Sequence, residues 1–118
     1  MTTIELDQAK VESFGAQITD TVNKAMVTLG LSVGHRTGLF DTLAAMSWAT
    51  SQDIARRSGL QERYIREWLA AMVTGGIIEY RAIDQTYRLP AEHAAFTTSA
   101  AGANNIAGYA TFVALMDD

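Results

Sequence analysis

A chain of 118 residues, 48% apolar and 19% charged, is sized for one domain with a real core, which excludes intrinsic disorder. Its formal charge of −4, from 13 acids against 9 bases, argues against a nucleic-acid binder, which carries a basic face. The absence of cysteine excludes disulfide scaffolds, thiolate metal sites and cysteine nucleophiles, and the two histidines, His35 and His93, have no carboxylate cluster beside them to complete a zinc site.

The first third reads as helix. After an Asp7 cap, apolar residues fall at Val11, Phe14, Ile18, Val22, Ala25, Leu29 and Val33, in steps of three or four. The Thr19-Asp20-Thr21 cluster offers a second cap, so two helical segments meeting at an angle are expected as readily as one. Gly30, Gly34 and Gly38 then recur every four residues, which leaves one helical face bare for another backbone to approach. Tight packing within the domain is the plain reading of that spacing.

A short helix over Leu39 to Met46 and a linker, Ser47-Trp48-Ala49-Thr50, come next. Thr50 caps a third helix with Asp53 at its third position, and Gly59 ends it after Arg56 and Arg57. A fourth helix, Gln61 to Thr74, carries the apolar face Ile65, Trp68, Leu69, Met72 and Val73 and stops at Gly75-Gly76. The period then changes to alternation. Ile77 to Arg81 and Thr86 to Leu89 are expected as two strands around Ala82-Ile83-Asp84-Gln85. Pro90 opens a short helix reaching Phe96, and Asn104 to Met116 reads as a last helix with Phe112, Val113, Leu115 and Met116 on its apolar face.

The order helix, short helix, helix, glycine, hairpin is that of a winged helix-turn-helix. The fold expected is therefore mainly α, with a long N-terminal helical extension and a short two-stranded wing. Three stretches divide the chain: 1–35 as a helical dimerisation segment, 36–98 as the winged helix, and 99–118 as the start of a linking helix. Met1 to Glu12 lacks a basic start followed by an apolar core, so no signal peptide is expected. Residues 94–116 are 23 in number and uncharged, but three Thr, one Ser, two Asn and two Gly make them too polar to span a membrane. A soluble, cytoplasmic protein is the expectation.

From Gly34 to Thr98 the text is more specific, above all in Gly34-His35-Arg36-Thr37-Gly38-Leu39-Phe40-Asp41 and Tyr87-Arg88-Leu89-Pro90. It resembles the N-terminal winged-helix domain of bacterial S-adenosylmethionine-dependent methyltransferases, the actinobacterial type in particular. The resemblance implies a domain that joins two subunits into a homodimer and caps the pocket of a small-molecule methyl acceptor. It also implies a following Rossmann-like domain that holds S-adenosylmethionine and does the chemistry. That domain is missing here. A cofactor turn needs glycines between a buried strand and a helix, whereas Gly30/Gly34/Gly38 lie in helical text and Gly75-Gly76 end a helix. No catalytic, cofactor or metal residue is assigned to this chain, and it is read as a truncated piece of a longer protein or a natural remnant of one.

A stand-alone winged-helix transcription regulator is the alternative, and its DNA contacts would come from Arg56, Arg57, Arg63 and Arg66. Between residues 51 and 90, however, six arginines stand against five acids, leaving only +1. Glu62/Arg66 and Arg63/Glu67 are spaced for ion pairs on a solvated face. The stripe of Val11, Phe14, Ile18 and Val22 exceeds what a winged-helix core needs, and is assigned to a dimer interface. Among single residues, His35 and Arg36 are expected as cations at a helix C-terminus, Asp41 as the local partner of Arg36, and Trp48 as a loop anchor. His93 has no evident partner.

Overall fold

The computed structural model describes residues 3–115, with the side chains of residues 3–113. The elements are α1 (Gln8–Thr37), α2 (Leu39–Ala44), α3 (Ser51–Ser58), α4 (Glu62–Thr74), β1 (Glu79–Arg81), β2 (Thr86–Arg88), α5 (Ala91–Ala94), a 3₁₀ turn (Ser99–Asn104) and α6 (Ile106–Leu115). This is the winged helix-turn-helix that the element order predicts, with α3 and α4 as the helix pair and β1–β2 as the wing.

Asp7 caps α1 by accepting from the backbone of Ala9 and Lys10. The helix does not break at Thr19-Asp20-Thr21. There the Thr21 hydroxyl turns back to donate to the Gln17 carbonyl, and Asp20 pairs with Lys24 one turn on, so neither side chain is left to cap a new segment. One helix of 30 residues results, about 45 Å long, in a molecule whose longest extent is 63 Å. It ends at Gly38, which takes the left-handed conformation (φ 74°), with His35 and Arg36 in its last turn as expected. Gly38 therefore leaves the bare glycine face, which consists of Gly30 and Gly34 alone. A Cβ at Gly34 would strike the rings of Phe40 and Trp68, and one at Gly30 would strike Met72.

The core lies where α1, α2, α3 and α4 converge, around the fully buried Leu39, Phe40, Leu43, Ile54, Ile65, Leu69 and Met72. Thr50 caps α3 through the Asp53 amide at 3.1 Å, and Gly59 closes it, both as the sequence predicts. Ile77 and Ile78, expected in the first strand, instead donate their amides to the Met72 carbonyl and finish α4. The strand begins only at Glu79, pairing Glu79 with Arg88, Tyr80 with Tyr87 and Arg81 with Thr86. Ala49 adds a two-bond bridge to Tyr87, so the linker runs beside the wing.

Two long-range contacts and one local kink correct the sequence expectations. Asp41 accepts from the amide and hydroxyl of Ser99 at 2.8 and 2.6 Å rather than pairing with Arg36. His93 does have a partner, the Ile77 carbonyl at 2.7 Å from its Nδ1, which ties α5 to the end of α4. The last helix starts at Ile106 rather than Asn104, because Gly102 (φ 61°, ψ −125°) kinks the preceding turn and Asn105 then caps α6 through the Gly108 amide. Helix α6 lies along the C-terminal half of α1, with Ser32 and Thr111 hydroxyls 3.4 Å apart and Asn105 beside His35. No helix among the described residues is long and apolar enough to cross a membrane.

Candidate functional site

Burial along α1 begins only at Val27; from Gln8 to Met26 the residues are exposed, Gly15 half so. Beyond that point the helix is gripped on two sides. Val27 and Gly30 face Gly75 and Met72 of α4, and Ser32 and His35 face α6. The first half projects with Val11, Phe14, Ile18 and Val22 in solvent, Phe14 being 60% exposed. Met26 and Leu29 extend the same exposed series; Leu29 was in the sequence stripe, whereas Met26 was missed although it follows Val22 by four residues.

A second uncovered surface lies on α6. Its small residues Ala107 and Ala110 are buried against the domain, while Ile106, Tyr109, Phe112 and Val113 face out, Phe112 at 69%. The sequence assigned Phe112 and Val113 to this face but missed Ile106 and Tyr109, which precede Phe112 by six and three residues. The Leu115 side chain and Met116, also assigned to it, lie outside the described residues.

On the face a winged helix turns to DNA, three of the four arginines each have an acidic neighbour. Arg63 pairs with Glu67 at 3.4 Å, Arg66 with Glu62 at 3.9 Å, and Arg56 with Asp53. Arg57 is exposed at the end of α3. On the wing, Arg81 forms two hydrogen bonds to Asp84 (3.1 and 2.7 Å) and Arg88 one to Glu79 (3.1 Å). Both guanidiniums also lie over the Trp48 ring, 4.5 and 4.6 Å from its centroid, so Trp48 is the loop anchor expected of it. Hydrogen bonds from Arg81 and the Thr86 hydroxyl hold the Asp84 carboxyl at about 2, below its ordinary 3.8. Arg81 and Arg88 are thereby folded back onto the wing and linker, whereas Arg56, Arg63 and Arg66 stay in solvent within their ion pairs. The Ser51 hydroxyl is likewise committed, lying 2.6 Å from the Glu62 carboxylate and fixing α3 to α4.

Among the described residues no cluster of His, Asp and Glu is placed to hold a metal. Nor do the glycines fit an S-adenosylmethionine turn. Gly30 and Gly34 are covered by Met72, Phe40 and Trp68, and Gly75-Gly76 lead from a helix into a strand, the reverse of the order such a turn needs.

The family model described as the Rv2258c-like winged HTH domain matches residues 25–99. No curated protein matches the chain. Among solved structures, the mitomycin 7-O-methyltransferase MmcR aligns with a TM-score of 0.74 at 20% identity, over 92% of this chain and 31% of that one. Human N-acetylserotonin methyltransferase, solved with SAM, aligns at 0.65 and 21% over the same shares, and PigF, solved with SAH, at 0.55 and 26% over 81% and 25%. The chain thus spans between a quarter and a third of the proteins it resembles. With the family match covering most of its length and the helix pair and wing both in place, the chain belongs to the Rv2258c-like winged helix-turn-helix domain family.

Proposed function

We propose that this chain is the accessory winged-helix domain of an S-adenosylmethionine-dependent methyltransferase, joining two subunits into a homodimer and covering the pocket of a small-molecule methyl acceptor, with no chemistry of its own. The observation that carries the reading is the uncovered apolar length of α1, which the winged-helix core does not use. The methyltransferase structures it resembles, each several times its length, support the assignment to such an enzyme. In this reading residues 1–35 serve the subunit contact, 36–98 form the cap, and 99–118 lead toward a Rossmann-like domain that holds the cofactor in a cytoplasmic enzyme.

The regulator alternative is disfavoured by the paired arginines of α3, α4 and the wing, since phosphate contacts supply most sequence-independent DNA affinity. Two titrations test the proposal. Calorimetry with S-adenosylmethionine and anisotropy with labelled duplex DNA at physiological salt are both expected to show no binding. Stoichiometric micromolar binding of the cofactor would contradict it, and salt-dependent binding of the duplex would establish the regulator instead.

A further inference from the structure

We infer that the cavity between the first turns of α3 and α4 and the wing binds a small zwitterion, a free α-amino acid, with Glu62 holding its ammonium and Arg66 its carboxylate. The inference is independent of the dimerising role proposed above and uses none of the residues assigned to the subunit contact.

Gln52, Glu62, Arg66, Tyr80, Gln85 and Tyr87 line a cavity of about 290 Å³. Small-molecule sites begin on the order of 300 Å³, so this one suits a single amino acid and leaves no room for a nucleoside. One oxygen of Glu62, Oε2, is fixed by the Ser51 hydroxyl at 2.6 Å. The other, Oε1, stands 3.9 Å from the Arg66 guanidinium, beyond hydrogen-bond distance. Two opposite charges are thus held close without satisfying each other. Among the described residues, the side chains of Arg66, Tyr80, Gln85 and Tyr87 make no hydrogen bond. Gln85 also sits at φ 55°, where glycine would be free of strain, yet a long amide side chain is kept there at the cavity's edge.

The charges select the ligand. Both are felt at the Tyr87 phenol, which is raised above its ordinary 10.0 by burial, then by Tyr80 and Glu62, with Arg66 opposing them. A ligand of one sign would have to draw Glu62 or Arg66 away from the other. An α-amino acid carries both signs one carbon apart. Its ammonium on Glu62 Oε1 and its carboxylate on Arg66 close a ring of four alternating charges and leave the protein pair in place. The Tyr80 and Tyr87 rings, 4.9 Å apart between centroids, form one wall. The Gln52 and Gln85 amides offer donors and acceptors to a short polar side chain.

L-Glutamine is the probe, titrated into the ¹⁵N-labelled chain at neutral pH. Its matched controls are 4-aminobutanamide, which lacks the carboxylate, and glutaramate, which lacks the ammonium. Saturable amide shifts centred on residues 50–52, 62–66 and 80–87 are expected, with a Kd of about 1 mM or tighter and roughly tenfold weaker binding of both controls. Arg66 is a surface residue, so Arg66→Gln is expected to keep its circular dichroism while binding L-glutamine about tenfold more weakly, with Arg66→Lys recovering part of the loss. Arg57→Gln, outside the cavity, should bind as the parent does. Glu62→Gln should bind L-glutamine no better than the parent binds glutaramate. The absence of saturable shifts at about 20 mM L-glutamine overturns the site. Equal affinity for either control, or an Arg66→Gln chain that binds as well as the parent, overturns the zwitterion assignment. None of these outcomes depends on the oligomeric state, so the dimerising role is tested separately.

Discussion

The indole Nε1 of Trp68 donates a 2.9 Å hydrogen bond to the carbonyl oxygen of Gly30. It fixes α4 against α1 at the point where α1 enters the domain, beside the edge-to-face contact of Trp68 with Phe40. Trp68→Phe keeps most of the packing and removes the donor. It is expected to lower stability by about 1–2 kcal/mol, read as a shifted urea midpoint at unchanged slope.

The glycines of α1 divide by what surrounds them. Gly34→Ala drives a methyl into two aromatic rings and is expected to cost about 3 kcal/mol, since neither ring can yield easily. At Gly30 the obstructing atom is the flexible end of Met72, so the loss should be smaller. Gly15 has open space around it, and Gly15→Ala is expected to stabilise by about 1 kcal/mol through helix propensity alone. Thermal unfolding of the three variants checks the order.

The wing carries a pH signature. Asp84 is held at about 2 in the folded chain against an ordinary 3.8, by Arg81 and then Thr86. A depressed folded value means its contribution is fully present above about pH 4 and is lost as pH falls toward 2. Asp84→Asn is therefore expected to be less stable than the parent at neutrality, with the difference shrinking across that window. A constant difference from pH 6 to pH 2.5 would contradict the assignment.

How much of this was legible in the sequence depends on the range of the forces involved. The Thr50–Asp53 cap and the Ile65/Trp68/Leu69/Met72 stripe are set by neighbours within two helical turns, and both appear where periodicity and capping rules put them. The contacts Asp41–Ser99, Ser51–Glu62 and His93–Ile77 join residues 58, 11 and 16 positions apart, and no local pattern announces them. The false break at Thr19-Asp20-Thr21 has a different cause: these side chains can cap a helix or bond back to it, and with apolar residues continuing on both sides the helix runs on. The α1 surface was half legible. Its stripe could be read from spacing, but that it projects free of the domain follows from where α4 and α6 pack.

The central claim is that the uncovered α1 stripe joins two subunits, and sedimentation equilibrium of the chain tests it most directly. At about 100 μM the unmodified chain is expected to sediment as a dimer, and Phe14→Asp combined with Ile18→Asp as a monomer of unchanged helical content. An unmodified chain that sediments as a monomer at that concentration would contradict the account.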